Sequence, residues 1–184
     1  MEENYEVKFI LAKGGNIKIR YSVSPSGAAP EENIVSRGDK PHEDFCRVWD
    51  KLPDIARRML ELPLENEDGK ELNIQIVKVN FPEHNDFGKG MQLVVLLSGF
   101  STFKKPLQVT THKYYRFATE YIDLPSGQTI PCQQLLPDEI KTMIELKKEA
   151  FDYAYHCKRE QPTVDEAQAA YEAGGYPDEK EKKQ

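Results

Sequence analysis

The chain has 184 residues, of which 39% are hydrophobic and 30% are charged. This size suits one domain with a single core and leaves too little chain for two full domains. Lys and Arg total 25 against 31 Asp and Glu, and the resulting net charge of −6 argues against a protein that coats nucleic acid through phosphate contacts over a large surface.

A β-hairpin is the first element that the sequence predicts. Apolar residues alternate with other residues in two runs, which are Tyr5, Val7, Phe9 and Leu11 and then Ile17, Ile19, Tyr21 and Val23. Gly14 and Gly15 lie between the runs and take positive φ angles without strain from a Cβ atom. Residues 24–33 carry two prolines and a glycine and are predicted to form a surface loop.

The apolar period becomes helical over about residues 41–62. One face of this predicted helix holds Phe45, Val48, Trp49, Leu52, Ile55, Ala56, Met59 and Leu60. Pro41 suits the first helical position, and Asp39 is close enough to cap it. Pro53 lacks a backbone donor and its ring clashes with the preceding turn, so we expect a kink or a break near Leu52.

Residues 72–81 predict a strand in which the apolar phase changes. The apolar positions are Leu72, Ile74 and Ile76, followed after a shift of one residue by Val77, Val79 and Phe81. Such a shift requires a β-bulge or a strand buried on both faces, and we favour the bulge. Residues 82–90 have the composition of a turn. Residues 91–100 are nearly all apolar and predict a central strand covered on both sides, with residues 107–111 as its neighbour.

The C-terminal third begins with an irregular connection and continues as the strongest predicted helix. Residues 114–134 mix aromatic residues with proline and glycine and have no sustained period. Residues 137–159 carry a broad apolar stripe that is typical of a helix lying across a sheet. Thr163 and Glu166 have the spacing of a capping box, which predicts a further short helix.

Together these elements predict one α+β domain over residues 1–175. We expect an antiparallel or mixed sheet of about five strands, packed on one face by the helical segments 41–62 and 137–159. Residues 176–184 are almost all charged or polar and are predicted to be a flexible tail.

The sequence predicts no catalytic residue, no metal site and no cofactor. It lacks the CxxC and HExxH metal motifs, the GxSxG nucleophile motif, the P-loop and the GxGxxG fingerprint. His42 and Cys46 are four residues apart on a predicted helix, but this spacing is more often that of a surface histidine and a small core thiol. Abundant carboxylates in a highly charged chain are usually solvated. Because these motifs are missing, we do not expect an enzyme. An enzyme or a small-nucleotide binder requires a convergent polar pocket, which a single sequence does not reveal, and we rank this hypothesis last.

The expected location is the cytoplasm, without membrane contact. No apolar run approaches the roughly 20 residues that span a bilayer, and the first residues lack the pattern of a secretory signal. The cysteines are odd in number and widely spaced, which is typical of reduced thiols: Cys46, Cys132 and Cys157.

One segment departs from the acidic average. Residues 103–117 hold four Lys or Arg, one His and four aromatic residues but no acidic residue. Basic side chains can follow a phosphate backbone while aromatic rings stack on unpaired bases, at about 1–3 kcal/mol per base. The candidate binding residues are Lys104, Lys105, Lys113, Tyr114, Tyr115 and Arg116. The alternative, which such a segment fits more often, is that the rings belong to the core and the charges neutralise acidic neighbours.

The order of elements and four sequence stretches resemble a family of small uncharacterised phage and prophage proteins over residues 5–160. The stretches are DKPHEDFCRVWDKL, LELP, KPLQVTTH and LLPDEIKTMIELKKEAFDYAYHCKR. The resemblance implies a soluble α+β protein from a mobile element, encoded among phage early or recombination genes and present in the host cytoplasm. It implies no catalytic residue. Residues 113–131 depart from the family pattern, so no binding residue there is carried over.

The leading hypothesis is a non-enzymatic phage accessory protein of DNA metabolism that contacts single-stranded nucleic acid through the six candidate residues. The alternative is a protein-binding module that inhibits or modulates a host defence or replication factor, in which Tyr115 and Arg116 are interface residues. The expected partner is thus single-stranded nucleic acid or a host or phage protein, and the sequence predicts no oligomeric state.

Overall fold

The computed structural model is an α+β domain built on one open antiparallel sheet, which confirms the predicted fold class. The structure describes residues 4–24, 29–66, 69–100, 105–117, 120–123, 128–131 and 133–158. In these ranges the main sheet has eight strands rather than the expected five or so, with the order β3-β2-β1-β4-β6 and with β5, β7 and β8 also paired to β6.

The predicted hairpin is confirmed. Strand β1 (Asn4–Lys13) pairs with β2 (Asn16–Ser24), and the turn between them places Gly14 and Gly15 at φ angles of 58° and 79°. Two successive positive φ angles match the right-handed twist of the flanking strands and favour glycine at both positions.

A β-bulge in β1 changes which of its residues are buried. The pairing with β2 shifts between Val7 and Phe9, so Lys8 is an extra residue in the strand. Val7 and Ile10 are consequently buried, whereas Phe9 and Leu11 are only partly covered. The predicted alternation is therefore wrong beyond Val7, because a regular period of two does not survive an inserted residue.

Strand β3 (Glu31–Arg37) pairs with β2 and forms one edge of the sheet. Its first residues, Glu31 to Asn33, were expected in the loop, and that prediction is wrong. The strand buries little: Val35 is half-buried opposite Ile19, and Ile34 is 56% exposed. Pairing with an existing strand edge, rather than an apolar pattern of its own, makes this segment extended.

The first helical segment is divided in two, as Pro53 predicts. Helix α1 (Glu43–Trp49) is followed by α2 (Leu52–Met59), with Pro53 in the first turn of α2. The start of α1 differs from the prediction, because its N-cap is His42, whose Nδ1 accepts a hydrogen bond from the Asp44 N–H at 3.2 Å. Pro41 is thus not the first helical residue.

Asp39 does not cap α1. Its backbone carbonyl instead accepts a hydrogen bond from the Tyr153 hydroxyl at 2.6 Å. Tyr153 lies on α3 (Pro137–Ala154), which packs against α1 and across β1 and β2. The loop before α1 is therefore attached to the long helix.

The shift of phase predicted in residues 72–81 is a bulge in β4 (Asn73–Asn80). Ile76 pairs with Val95 and Lys78 with Val94, which leaves Val77 as the extra residue. The bulge keeps Val79 on the buried face with Ile76.

Strand β6 (Gly88–Ser98) is the longest strand and carries pairing on both edges. β4 lies along one edge, and β7 (Leu107–Thr110) lies along the other. Met91, Leu93, Val95 and Leu97 are buried, while the residues between them are partly exposed. The predicted covering of both faces is therefore wrong, because every second residue of the strand from Gln92 to Ser98 is only partly buried.

Four short strands complete the described sheets. β5 (Glu83–His84) pairs with the start of β6, and β8 (Tyr114–Tyr115) pairs with Gly90 and Met91. β9 (Glu120–Asp123) and β10 (Gln128–Pro131) form a separate two-stranded antiparallel sheet. Residues 114–134 are thus not simply an irregular connection.

Helix α3 begins at Pro137 as predicted and ends at Ala154, five residues earlier than expected. Cys157 has a φ of 57°, a left-handed conformation that stops the helix. Lys158 then binds Asp44 of α1 at 2.9 Å and Glu149 of α3 at 2.8 Å. The short helix predicted from Thr163 and the tail lie outside the described residues.

Candidate nucleic-acid interface

The basic and aromatic segment 105–117 is extended along one edge of β6. Leu107 pairs with Leu97, and Tyr115 pairs with Gly90, seven residues away along β6, or about 23 Å at the rise of a strand. Lys105 is exposed and precedes Leu107, so it lies at the far end of this edge from Tyr115. Lys104 lies outside the described residues. The six candidate residues therefore do not form one patch.

Tyr114 points into the core. Its side chain is 5% exposed, its hydroxyl donates a hydrogen bond to the Met59 carbonyl at 2.9 Å, and the Arg58 guanidinium lies 4.9 Å from its ring centroid. Burial raises the pKa of this phenol. A ring enclosed in this way has no free face for a base, which corrects its assignment to the binding surface.

Arg58, which lies against Tyr114, forms an ion pair with the buried Glu139. Both Glu139 oxygens accept hydrogen bonds from Arg58 at 2.5 Å, and one of them also accepts the Leu136 N–H at 2.8 Å at the start of α3. Glu139 is 5% exposed, and these donors satisfy both of its carboxylate oxygens. Arg58 belongs to α2 and Glu139 to α3, and Arg58 also lies over the ring of Tyr114 on β8. The ion pair therefore links α2, α3 and β8.

Tyr115 lies on the other face of β8 and is half-buried. Its N–H donates to the Gln133 carbonyl at 3.0 Å, and its own carbonyl accepts the Leu135 N–H at 3.0 Å. A Cβ atom on Gly90 of β6 would lie 2.4 Å from the Tyr114 carbonyl oxygen and 2.8 Å from the Tyr115 ring. Glycine at position 90 is thus what allows β8 to approach β6.

Strand β5 and the turn that follows it supply two rings beside Tyr115, His84 and Phe87. The His84 ring is stacked on Phe87 with centroids 4.3 Å apart, and it meets the edge of Tyr115 at 5.9 Å. Phe87 is buried, whereas His84 is exposed. Offset and edge-on ring pairs of this kind stabilise one another by about 0.5–1.5 kcal/mol beyond the area that they bury.

Arg116 and Phe117 extend the same surface. The Phe117 side chain is 55% exposed and lies over Gly88, and the Arg116 guanidinium is 5.2 Å from its ring centroid. Backbone hydrogen bonds of 3.0 Å, from Arg116 to Lys89 and from Phe117 to Phe87, hold both residues beside the turn. We refer to His84, Tyr115, Arg116 and Phe117 as the ring surface.

The charges around the ring surface are mixed. Lys89, Lys113 and Arg116 are exposed cations, but Glu83 lies opposite Lys89 in the β5–β6 pair and Asp86 lies 3.9 Å from His84 Nδ1. The surface therefore offers two or three phosphate contacts rather than a basic stripe.

Sequence reasoning found part of this surface and missed the rest. Tyr115, Arg116 and Lys113 were candidates, whereas His84 and Lys89 belong to a segment predicted only as a turn. The sequence feature that could have pointed to these two residues is Phe87, an aromatic residue inside an otherwise polar turn.

A cleft of about 290 Å³ lies between α2 and β4. Arg57 lines it and donates hydrogen bonds to the backbone carbonyls of Pro63 at 2.6 Å and Leu72 at 3.3 Å. Its guanidinium therefore serves to hold the chain after α2. Asp54 and Glu71 are the other charged residues of the lining.

Two further observations concern the described ranges. None of their helices has both the length and the apolar character needed to cross a membrane. No three His, Cys, Asp or Glu side chains in these ranges are grouped closely enough to hold a metal ion.

The resemblance to phage and prophage proteins stays a prediction. Comparison with protein-family models, with curated proteins and with solved structures gives no match to this chain.

Proposed function

We propose that this protein binds single-stranded nucleic acid without catalysing a reaction, through the ring surface. The observation that carries the proposal is the contact of His84, at the end of β5, with Tyr115 of β8, close to the exposed Phe117 and to the positive charges of Arg116 and Lys89. A phenylalanine that is 55% exposed is available for stacking without any rearrangement of the core.

The chemistry favours an unpaired strand over a duplex. Unpaired bases present their faces to aromatic side chains, whereas the bases of a duplex are already stacked on one another. Stacking is tolerant of sequence because every base has a flat face, so we expect little sequence preference.

The number of cations sets the expected salt dependence. Two or three phosphate contacts on a single strand correspond to a slope of about −1.4 to −2 in a plot of log affinity against log salt concentration. This slope is far shallower than that of a protein that follows the backbone with many lysines, in keeping with the net charge of −6.

The role that we assign to this binding is accessory, in phage or prophage DNA metabolism. The support is the resemblance of residues 5–160 to phage and prophage proteins together with the stacking chemistry of the ring surface.

The test is fluorescence anisotropy of a labelled single-stranded oligonucleotide at low and physiological salt, with a duplex of equal length as control. Phe117→Ala should weaken binding by roughly 5- to 10-fold, which corresponds to the low end of stacking energies. Tyr155→Ala is the matched control, because Tyr155 is also an exposed aromatic residue, 43% exposed, but lies beyond α3 beside Tyr21. Absence of binding at low salt, or equal losses in both variants, would contradict the proposal.

The alternative function, a module that binds and modulates a host protein, has its own supporting observation. The sheet face away from the described helices carries partly covered Phe9, Leu11, Val94 and Leu96, and the edge strand adds Ile34 at 56% exposure. Under this alternative, a nuclease-treated host lysate yields a partner that Ile34→Asp releases and Tyr115→Ala retains. Release by Tyr115→Ala alone would point back to the ring surface.

A further inference from the structure

Charged side chains from β1, β6 and α3 lie near one another at the start of the loop after β4, where the Phe81 N–H donates a hydrogen bond to the Lys8 carbonyl at 3.0 Å. Glu6 accepts a hydrogen bond from Lys8, and its Oε1 lies 3.8 Å from the Nζ of Lys89. Lys147 of α3 holds its Nζ 5.3 Å from the centroid of the Phe81 ring, and its charge interacts with those of the other three groups. We call Lys8, Lys89 and Lys147 the lysine cluster.

Lys147 differs from the other two lysines in having no acceptor within the described part of the chain. Among the described residues, no carboxylate forms an ion pair with its ammonium group and no oxygen accepts a hydrogen bond from it; its contact is the face of Phe81. Burial, with a further contribution from Lys89, lowers the pKa of Lys147 to about 8. An ammonium group that is partly removed from water without an acceptor destabilises the folded state until an anion is supplied.

The nearest carboxylate, that of Glu6, is already engaged by two lysines, Lys8 and Lys89. Burial raises the pKa of Glu6, but the hydrogen bond from Lys8 and the charges of Lys8, Lys147 and Lys89 outweigh burial and lower it overall. Glu83 lies opposite Lys89 in the β5–β6 register. Of the three lysines, Lys147 is the one that no carboxylate of the described residues contacts.

We propose that the lysine cluster binds a phosphomonoester or phosphate dianion, one oxygen of which accepts a hydrogen bond from Lys147. A dianion has several strong acceptor oxygens, so it can contact Lys147 and Lys89 together and relieve their mutual repulsion. A single neutral acceptor would leave that repulsion in place.

Lys89 also connects the cluster with the ring surface, because its carbonyl accepts the Arg116 N–H at 3.0 Å. The dianion has two sources: free inorganic phosphate, or the terminal phosphate of a strand whose bases stack on the ring surface. The second source rests on the proposed function, whereas the first does not.

The experiment is a titration of the full chain with inorganic phosphate against sodium chloride of equal ionic strength. The Cε methylene signal of Lys147 is followed by carbon-detected or proton–carbon correlation NMR. We expect phosphate to shift this signal and to raise the titration midpoint of Lys147 by about one pH unit, since a nearby anion favours the charged amine. A Lys147 signal and midpoint that phosphate leaves unchanged would overturn the proposal.

Two variants make the result specific. Lys147→Met keeps the apolar stem against Phe81, removes the charge, and should weaken phosphate binding at least about tenfold. Lys148→Met removes the next lysine on α3, which is exposed, and should change affinity less than about twofold. Equal losses in both variants would show non-specific attraction and contradict the assignment to Lys147. Thermal unfolding of each variant confirms that it is folded.

A second titration separates the two sources and the two proposals. Oligonucleotides with a 5′-phosphate or a 5′-hydroxyl are compared, each labelled at the 3′ end. If the phosphorylated strand binds more tightly and Lys147→Met removes this difference, the ligand of Lys147 is the terminal phosphate of a strand. If the two strands bind equally and inorganic phosphate binds at Lys147, the ligand is free phosphate. If phosphate binds and no strand does, the ring-surface function fails and the lysine site stands. If strands bind and phosphate does not, the phosphate site at Lys147 fails and the ring-surface function stands.

Discussion

Tyr114 and Tyr115 are adjacent on β8 and have opposite surroundings. Tyr114 is 5% exposed, donates a hydrogen bond from its hydroxyl to the Met59 carbonyl and lies against Arg58. Tyr115 is half-buried beside the stacked rings of His84 and Phe87. Successive side chains of a strand point to opposite faces, so a run of aromatic residues divides between the core and the surface. Composition alone identifies the segment but not the ring that can reach a ligand.

The largest expected effect is on stability at Tyr114. Tyr114→Ala removes a buried ring and the hydrogen bond to Met59, and it should lower the free energy of unfolding by about 3–5 kcal/mol. Tyr115→Ala should cost about 1–2 kcal/mol, because its ring is only half-buried. Urea unfolding of both variants measures the difference. Equal losses would remove the distinction between the two tyrosines.

A smaller effect is expected where the backbones of β6 and β8 meet. Gly90→Ala places a Cβ atom 2.4 Å from the Tyr114 carbonyl oxygen, so the strands must separate, at a cost of about 1–3 kcal/mol. Because β8 carries both tyrosines, oligonucleotide affinity should fall along with stability. Gly14→Ala is a useful control: it is strained by its φ of 58° but has no atom within 4 Å, and it should leave affinity unchanged. If Gly90→Ala left the oligonucleotide affinity unchanged, binding at the ring surface would not depend on the position of β8.

Substitutions in the ring surface should weaken oligonucleotide binding more than they lower stability. Combining Tyr115→Ala with Phe117→Ala should weaken binding of a single-stranded oligonucleotide by roughly 10- to 100-fold, or about 1.4–2.8 kcal/mol. Phe117→Ala by itself should change the free energy of unfolding by less than about 0.5 kcal/mol, because the side chain is 55% exposed. Anisotropy and urea unfolding on the same samples test both statements. A large loss of stability in Phe117→Ala would assign that ring to the core.

The smallest expected effect concerns two neighbours on α3, Lys147 and Lys148. Lys147 has a pKa of about 8 in the folded chain and 10.5 as its reference value, so between these pH values the unfolded chain binds more protons. Stability should therefore rise with pH over this window, and partial exposure limits the gain to about 1 kcal/mol. The groups that face Lys147 and also set this window are Glu6, Lys8, Glu83 and Lys89.

The measurement is the free energy of unfolding in urea at pH 8 and pH 10, compared between the natural chain and Lys147→Met. The difference between the two pH values should be smaller in Lys147→Met, whereas Lys148→Met should keep it. A pH dependence that Lys147→Met leaves unaltered would show that other lysines and tyrosines account for it.

Features that depend on a few consecutive residues could be predicted from the amino-acid sequence. Gly14 and Gly15 specify the hairpin turn because they accept positive φ angles. Pro53 specifies the break between α1 and α2 because it lacks a donor. The shift of apolar phase from Ile76 to Val79 specifies the bulge in β4, and Pro137 marks the start of α3.

Features that depend on a partner strand follow from long-range pairing and could not be predicted in this way. β3 is extended because the edge of β2 was available, and the bulge at Lys8 moves Phe9 off the buried face. The binding candidates were spread along β6, Tyr114 was buried under Arg58, and His84 was brought to Tyr115 from a turn about 30 residues away. Local backbone preferences act over a few residues, whereas burial and convergence depend on long-range pairing, which no local pattern in a single sequence encodes.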